Sequence, residues 1–465
     1  MEKSRRQFIR WSGKTLAVAS LFGLAQCSKD SVSASTEKPT VEKAGQPNSV
    51  PSAQKKTPTG VLADLPKAKG PRVVVVGAGV SGLTVAKYLK KEHPAFDVVL
   101  VDKRAMYACC FATALWYAGE IPMDMIAGYS FYDAARHGGY WYFQAVCTGL
   151  DRIGKRVVTD QGEIPYDYLV IAPGIDYDYA KIGVTDTETR MLLEQHFPAG
   201  FNSPVEFAAV KNKLAQFEKG VFVQTVPAGN YRCFASPFER ACVLAALLKK
   251  QKRAGKVLLL DASPEIRIKK DGFEAAFKQL YGGLIEYVPS VNITAVDPVA
   301  KTIETEFDSY TFDDACIYPP VRGARLLETL GLADPHSPQN EARIDPLTNH
   351  LPDDDTVYVT GDSRPMPFSK SANTAYTEGR HVARRIAAKV NHKTIAWESP
   401  TTKCFSIVSL QPLMGISVRT QYAYNRKTKA FGFAHSQADE QRDQAKAQAV
   451  KDWTMQLHRD LFGES

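Results

Sequence analysis

Three glycines near residue 80 have the spacing of a phosphate-binding turn. Gly77, Gly79 and Gly82 form a GxGxxG pattern directly after the β-branched run of residues 72–76. Such a run predicts a strand buried in a parallel sheet, and the helical periodicity that continues to residue 91 predicts a helix after the turn. The glycines permit a tight turn and the close approach of a pyrophosphate, whose charge the helix N-terminus attracts. The pattern therefore predicts a dinucleotide site.

Three further segments complete this unit and favour FAD. A second apolar strand over residues 98–101 ends at Asp102 and Lys103, where the acid is placed to accept a hydrogen bond from an adenosine ribose. The other two segments, YDYLVIAPG and TVYVTGD, read as strands that end in turns, and closing strands of this kind flank the cofactor in large FAD-binding domains. The cofactor residues assigned to these turns are Ala172, Pro173, Gly174, Gly361 and Asp362.

A second strand and helix in the middle of the chain lack such a phosphate cradle. Residues 221–226 predict the strand and residues 240–250 the helix, but the segment between them, PAGNYRCFASPFE, has a cysteine and no glycine triplet. We therefore expect a second domain of similar build that binds no NAD(P)H. Electrons must then enter or leave by another route.

These motifs resemble the flavoprotein subunit of flavocytochrome c sulfide dehydrogenase, which is related to sulfide:quinone reductases. The resemblance runs from about residue 71 to the C-terminus. It is carried by GAGVSG (77–82), MYACCFATAL (106–115), YDYLVIAPG (166–174), YRCFASPFERA (231–241), TGDSRPMPFSKSANTAYTEGR (360–380) and KCFSIVSLQPLMGISV (403–418).

The resemblance implies covalent FAD, because the family joins a cysteine to the 8α-methyl of the flavin through sulfur. The Tyr-x-Cys pattern of the family matches Tyr107 and Cys109, so Cys109 is the predicted tether. Cys110 next to it departs from the family pattern and leaves a one-position slip open. Three other cysteines, Cys147, Cys242 and Cys316, have neighbours typical of buried thiols, and we assign them no chemistry.

The resemblance also implies a redox-active disulfide between Cys233 and Cys404, with Cys404 as the thiolate on the flavin side. Hydrosulfide is a soft nucleophile, and a disulfide is its natural electrophile. Attack leaves a persulfide on one cysteine and a thiolate on the other, and the sequence leaves open which is attacked.

Glu239 is either a proton acceptor or a surface carboxylate. Lys370, before a helix predicted for residues 371–389, is either a cation for the N1 edge of reduced flavin or a solvated capping lysine.

The route by which electrons leave points to a partner protein. The chain has no CxxCH haem-attachment motif, and the resemblance implies a c-type cytochrome bound as a separate subunit of a heterodimer. Three other functions stay open at this point. They are a sulfide:quinone reductase, a pyridine-nucleotide disulfide reductase and a non-enzymatic flavin electron-transfer module.

The N-terminus predicts export to the periplasm. Arg5 and Arg6 precede an apolar stretch over residues 15–25 that is too short to span a bilayer, which is the order of a twin-arginine signal. The alternative is a chance arginine pair before an amphipathic helix. Cleavage before Cys27 would allow a lipid anchor, whereas cleavage after Ala34 would not.

Composition places the chain among folded α/β proteins. Of its 465 residues 44% are hydrophobic and 23% charged, which fits neither a disordered polymer nor a polytopic membrane protein. The net charge of +8 resides almost entirely in the first 70 residues, so nucleic acid is excluded as a partner.

We expect two Rossmann-like dinucleotide-binding domains of the glutathione reductase type and a C-terminal α+β domain. The predicted boundaries are a signal at 1–27, a disordered linker at 28–70, an FAD-binding domain at 71–178 and 313–392, a second domain at 179–312 and the C-terminal domain at 393–465.

Overall fold

The structure is a computed structural model that describes residues 60–463. Its strands are Arg72–Val76 (β1), Asp97–Asp102 (β2), Trp141–Gln144 (β3), Cys147–Asp151 (β4), Arg156–Thr159 (β5), Gly162–Pro165 (β6), Tyr168–Ile171 (β7), Ile175–Tyr177 (β8), Lys219–Val226 (β9), Ala254–Asp261 (β10), Ile285–Val288 (β11), Ile293–Asp297 (β12), Thr302–Thr305 (β13), Ser309–Thr311 (β14), Asp314–Cys316 (β15), Val321–Gly323 (β16), His350–Leu351 (β17), Asp354–Val359 (β18), Thr401–Leu410 (β19), Leu413–Asn425 (β20) and Ala430–Asp443 (β21). Its α-helices are Val80–Glu92 (α1), Thr113–Tyr117 (α2), Phe131–Gly138 (α3), Thr187–His196 (α4), Pro204–Gln216 (α5), Ser236–Gln251 (α6), Lys270–Gln279 (α7), Leu326–Thr329 (α8), Ala372–Val390 (α9) and Gln444–Phe462 (α10). The predicted export signal, the lipid site at Cys27 and most of the predicted linker lie outside the described residues.

The first sheet has six strands in the order β17, β18, β7, β1, β2, β3. All neighbours are parallel except β17 and β18. The central strand β1 is buried along its whole length, with Val75 opposite Leu100 on one side and Val170 on the other. This is the buried parallel strand that the β-branched run predicts. Because parallel strands end at the same edge, the glycine turn after β1 lies beside the ends of β2, β7 and β18.

Two glycines set the close packing of the turn after β1. A Cβ on Gly82 would lie 1.8 Å from the carbonyl oxygen of Gly77, so α1 packs on this turn at a distance that only glycine permits. Gly77 has a φ of +102°, and a Cβ there would lie 2.4 Å from the carbonyl oxygen of Ala172. The turn is therefore fixed against both its own helix and the end of β7.

The second sheet is parallel, in the order β11, β10, β9, β15. Its last strand pairs Ala315 with Val223 and lies beyond residue 312, where the sequence places the end of this domain. The second sheet thus extends at least to residue 316. The connection from β9 to α6 spans residues 227–235 and is not a tight glycine turn.

A third unit consists of the antiparallel sheet β19, β20, β21 and the final helix α10. The apolar stripe of α10 is turned inward: Val450, Leu457 and Leu461 are buried, and the ring of Trp453 packs 4.7 Å from that of Phe111. The stripe thus packs on the core. Within residues 60–463 no helix is long and apolar enough to cross a membrane. The fold is that of an α/β protein with two Rossmann-like domains and a C-terminal α+β domain.

The end of the predicted linker is part of the folded body. Leu62 is buried in the same core cluster as Val157 and Ile164, and its backbone N–H donates to the Glu163 carbonyl at 2.9 Å. The prediction of a solvated tether up to residue 70 is therefore wrong for these residues. Burying the Leu62 side chain against β5 and β6 outweighs the polar composition around it.

Candidate active site

A cavity of about 500 Å³ opens at the carboxyl edge of the first sheet. Its volume lies within the range of small-molecule and cofactor sites. Most cofactor residues predicted from the sequence line it, namely Gly77, Gly79, Asp102, Lys103, Ala172, Pro173, Gly174, Gly361 and Asp362. Segments far apart in the sequence thus meet in one place.

The cavity fits a dinucleotide such as FAD. No atom lies within 4 Å of the position of a Cβ on Gly79, and no side chain caps the first turn of α1 that follows it. The N-terminus of α9 also borders the cavity through Ser371 and Ala372. Two helix N-termini and an open glycine provide the partial positive charge and the space that a pyrophosphate requires.

Asp102 lies at the end of β2 and is held by an arginine. Its carboxylate accepts from the backbone N–H of Ala78 at 2.7 Å and pairs with the Arg104 guanidinium at 3.0 Å. Burial alone would raise the pKa of Asp102, but Arg104 and the backbone N–H groups together hold it below its ordinary value. Asp102 is thus ionised at the cavity wall, as an acceptor for a ribose hydroxyl must be.

A second arginine, Arg232, joins the second domain to the turn at Asp362, which the sequence predicts to bind flavin. Its Nε donates to Asp362 Oδ2 at 2.7 Å, and its Nη1 donates to the Phe201 carbonyl at 2.9 Å. Burial would lower the pKa of Arg232, but the carboxylate of Asp362 raises it and keeps the guanidinium charged. No pattern in the sequence predicts this contact, although Arg232 directly precedes Cys233 in the YRC motif.

Cys233 is presented by a constrained backbone. It has a φ of +58°, which is rare for a residue with a side chain, and it lines the cavity. Its N–H donates to the Lys370 carbonyl and its carbonyl accepts from Ser236, both at 2.9 Å. Such strain persists only where the surroundings hold it, and it is common at functional sites.

The neighbouring thiol of Cys233 at the cavity wall is Cys110. The interaction between the two thiols lowers the pKa of Cys110 and, together with burial, raises that of Cys233. Cys110 lines the cavity, whereas Cys109 is wholly buried and is not part of the cavity wall. Of the two positions left open by the sequence, the structure thus turns the second toward the predicted flavin site.

Cys404 lies behind this wall, on β19. It is not among the lining residues, but its thiol is close enough to act electrostatically on that of Cys233. All seven cysteines in residues 60–463 are free thiols in this structure, so the predicted disulfide stays a prediction. Cys233, rather than Cys404, faces the cavity, whereas the resemblance implies that Cys404 lies on the flavin side.

Cys242 and Cys316 are buried as expected, whereas Cys147 is only half-buried.

A buried lysine contacts Cys404. Lys269 is 3% exposed, and its ammonium donates to Cys404 Sγ at 3.3 Å and to Ser406 Oγ at 2.6 Å. Among the ion pairs of the described residues none includes Lys269. The sulfur of Cys404 therefore contacts a cation that has no carboxylate within ion-pair distance among the described residues, and no motif in the sequence indicates this contact.

Glu239 is buried, so the surface alternative for it is wrong. Its Oε1 accepts from the Ile407 N–H at 2.6 Å, a contact that joins α6 to β19 three residues beyond Cys404. Burial raises the pKa of Glu239 to about 7, although Ile407 and the nearby Lys269 favour its charged form. Glu239 does not line the cavity. It holds the segment that carries Cys404.

Lys370 does not reach the cavity, which corrects its predicted position beside a flavin. Its ammonium is fully buried, pairs with Glu341 at 2.6 Å and donates to the Asp362 carbonyl at 2.7 Å. The solvated capping alternative is wrong as well. The predicted helix after it is present as α9, and Ser371 caps that helix by accepting from the Thr374 N–H. The N-terminus of α9, rather than Lys370, faces the cavity.

Comparison with known proteins agrees with this geometry. Residues 208–319 match the family model described as Sulfide dehydrogenase (flavocytochrome c) flavoprotein chain, central, and residues 71–189 match the Pyridine nucleotide-disulphide oxidoreductase model. A sulfide dehydrogenase flavoprotein chain from Chlorobaculum thiosulfatiphilum is 49% identical over 45 residues, which are 10% of this chain and 94% of that sequence. The chain belongs to this flavoprotein family. It is related to the flavoprotein chains of sulfide dehydrogenases.

Two other relatives define the limits of the likeness. A probable ferredoxin reductase from Castellaniella defragrans is 36% identical over 106 residues, 22% of this chain and 26% of that one, so the chain spans about a quarter of that relative's length. The sulfide:quinone oxidoreductase of Aquifex aeolicus has the same fold, with a TM-score of 0.66 and 14% identity over 85% of this chain and 92% of that chain. The likeness to the solved structure concerns the fold alone.

The raised pKa of Glu239 predicts a pH dependence of stability. In the unfolded chain this carboxyl ionises near pH 4.5, whereas in the folded protein it stays protonated up to about pH 7. The stabilisation is complete below pH 4.5 and is lost as the pH rises through about 7, by about 3 kcal/mol in all. Glu239→Gln keeps an acceptor for Ile407 and cannot ionise. We expect its melting temperature to fall less than that of the wild type between pH 5 and pH 8, as measured by differential scanning calorimetry.

The matched control is Glu274→Gln, at an exposed position of α7. It should retain the pH dependence of the wild type. A wild-type melting temperature that falls no more steeply than that of Glu239→Gln would contradict the burial argument.

Proposed function

We propose that this protein oxidises sulfide to sulfur or polysulfide through a disulfide between Cys233 and Cys404 and an FAD held in the cavity. The observation that carries the proposal is the position of Cys233, on the wall of a cavity formed by flavin-binding turns, with Cys404 and its lysine behind it. The family to which the chain belongs supports the choice of sulfide as donor.

The chain's own residues fit the cofactor. Gly79 and the first turn of α1 would hold the pyrophosphate, Asp102 the adenosine ribose, and Asp362 the ribityl or phosphate part. When bound, FAD supplies a two-electron acceptor that can later release its electrons singly. The backbone N–H groups in the first turn of α9 would provide partial positive charge at the N1 edge of the flavin. The proposal includes covalent attachment of FAD. The sequence predicts Cys109 as the attachment site, with Cys110 as the alternative.

The position of Cys233 favours it as the sulfur that sulfide attacks. Attack of hydrosulfide would form a sulfur–sulfur bond to Cys233 and break the bond to Cys404, with the electron pair left on Cys404. Lys269 would then balance the charge of that thiolate at 3.3 Å. A second hydrosulfide would take the outer sulfur atom as a polysulfide and leave the electron pair of the broken bond on Cys233. The thiolates of Cys233 and Cys404 would then give one electron pair to the flavin and restore their disulfide.

The electrons would leave to a c-type cytochrome subunit in a heterodimer. The connection from β9 to α6, where a nicotinamide nucleotide would need its glycine cradle, has none, and this supports an acceptor of another kind. We place the reaction in the periplasm after export by the twin-arginine route, with a lipid anchor at Cys27 as an optional attachment.

Removal of either cysteine should abolish sulfide-dependent reduction of the flavin. We expect anaerobic sulfide to bleach the flavin absorbance of the wild type, and Cys233→Ser and Cys404→Ser to fall to the background rate, because no electrophilic disulfide can form. Stopped-flow absorbance measures this, and reoxidation by cytochrome c or a soluble quinone identifies the class of acceptor.

The matched control is Cys242→Ala, which removes a buried thiol of α6 away from the cavity. Sulfide should bleach the flavin absorbance of this variant as it does that of the wild type. Full bleaching of Cys404→Ser by sulfide, or bleaching of the wild type by NADH but not by sulfide, would refute the proposed function.

Loss of the cation beside Cys404 should slow the attack of sulfide. Lys269→Met removes the cation that contacts the Cys404 sulfur, and we expect a decrease of about tenfold to a hundredfold in the bleaching rate. Lys270→Met is the matched control, since Lys270 is exposed and pairs with Glu265. Equal rates for the two variants would show that Lys269 does not assist the leaving thiolate.

A further inference from the structure

Arg232 and Cys233 are neighbours in the sequence, and both line the cavity. In an extended chain adjacent side chains point to opposite sides. The φ of +58° at Cys233 breaks this alternation and places a cation and a sulfur atom on the same wall. A molecule that approaches the sulfur of Cys233 from the cavity therefore also meets the guanidinium of Arg232.

One edge of the Arg232 guanidinium is open. Its Nε donates to Asp362 Oδ2 at 2.7 Å, and its Nη1 donates to the Phe201 carbonyl at 2.9 Å and to Asn202 Oδ1 at 3.1 Å. Its Nη2 has no hydrogen-bond acceptor among the described residues. A guanidinium has five N–H donors in one plane, so these contacts fix the orientation of the group and leave the two N–H groups of Nη2 for a ligand.

The glycine at position 174 keeps space at this open edge. A Cβ on Gly174 would lie 2.8 Å from Arg232 Nη2, which is closer than van der Waals contact, and Gly174 itself lines the cavity. The free donors of Arg232 therefore border the cavity. Any larger residue at position 174 would cover them.

The helix that follows Cys233 adds partial positive charge. Helix α6 begins at Ser236, whose N–H donates to the Cys233 carbonyl at 2.9 Å, and no side chain caps its first turn. Backbone N–H groups at a helix N-terminus attract anions. A small anion beside Cys233 would therefore interact with a full charge and with the end of this helix.

We propose that Arg232 binds the substrate, by holding hydrosulfide as an anion beside Cys233 through the N–H groups of Nη2. The inference rests on the proposed function, because it concerns the sulfide that attacks the disulfide. It also assigns a specificity. The site selects a small anionic sulfur nucleophile over a neutral one.

Binding of the anion suits the attack on a disulfide. The ionised form of a sulfur nucleophile attacks, whereas the protonated form does not. Hydrogen bonds from a charged donor are about twice as strong as neutral ones, and a nucleophile held beside its electrophile has a high effective concentration there. Arg232 forms no covalent bond in this role and keeps all its protons.

Competition by iodide tests the proposal on the wild-type holoenzyme. Iodide is a soft monovalent anion, and gluconate, a much larger anion, keeps the ionic strength constant. We expect iodide to raise the sulfide concentration that gives the half-maximal bleaching rate and to leave the rate at saturating sulfide unchanged. No effect of iodide, or a decrease in the saturating rate alone, would overturn the proposal.

Arg232→Lys separates substrate binding from the structural contact with Asp362. Lysine keeps a positive charge for that carboxylate but lacks the planar fork, so one ammonium cannot also present free donors to the cavity. We expect the half-saturating sulfide concentration to rise about tenfold, by a larger factor than the saturating rate falls, and iodide competition to be lost. A lower FAD content or saturating rate with unchanged half-saturation would overturn the proposal, because a purely structural role predicts that result.

The matched control is Arg267→Met. Arg267 is exposed and donates to the Gly229 carbonyl in the same connection, but it does not line the cavity. The variant should keep the half-saturating sulfide concentration and the iodide competition of the wild type. An equal rise in half-saturation for Arg267→Met and Arg232→Lys would indicate a general effect of charge and would overturn the proposal.

A third measurement locates the anion without sulfide. Crystals of the oxidised holoenzyme soaked in sodium iodide should show anomalous scattering within contact distance of Arg232 Nη2. Flavin atoms at that position would overturn the proposal, as would an iodide there that does not compete with sulfide in solution and is an adventitious ion only. If iodide is absent from Nη2 while sulfide bleaches the wild type, the binding role fails and the proposed function stands. If sulfide does not bleach the wild type, the proposed function fails and the binding role, which depends on it, fails too.

Discussion

The site depends on the contacts that hold the segment around Cys233 against residues 362–370 of the first domain. Arg232 and Asp362 form a largely buried ion pair at 2.7 Å, and the N–H of Cys233 donates to the Lys370 carbonyl at 2.9 Å. Asn230 adds a side-chain hydrogen bond to the Phe368 carbonyl at 3.1 Å. A buried pair of this kind is costly to break on one side, because the remaining charge would have no partner. The contacts therefore fix a strained cysteine to a domain that is distant in the sequence.

This constraint explains why the second Rossmann-like domain has no phosphate cradle. In a nucleotide-binding unit the segment after the first strand forms a tight glycine turn under the pyrophosphate. Here the connection from β9 to α6 instead reaches the first domain and presents a sulfur atom there. Glu239, at the start of the same helix, holds β19 and with it the segment of Cys404. One strand-to-helix connection thus organises both cysteines, which lie far apart in the sequence.

The sequence predicts the elements near the flavin site well and the charged contacts poorly. The strand before Gly77, the helix after residue 370 and the turns at Pro173 and Asp362 follow from local patterns, which depend on burial and backbone conformation. The partners of Lys370 and Lys269 do not, because Glu341 and Cys404 reach them only through the tertiary fold. The same limit applies to Cys109 and Cys110. The loop conformation decides which of two adjacent side chains faces a cavity. The periodicity of hydrophobic residues does not indicate it.

The central claim is that a redox-active pair of cysteines exchanges electrons with the flavin of this cavity. The most direct measurement is an anaerobic titration of the oxidised holoenzyme with dithionite, followed by flavin absorbance. The account predicts uptake of two electron pairs per flavin, one by the disulfide and one by FAD, with only one pair taken up by the Cys233→Ser variant. Uptake of a single pair by the wild type would contradict it, because the cysteines would then hold no disulfide in electronic contact with the flavin.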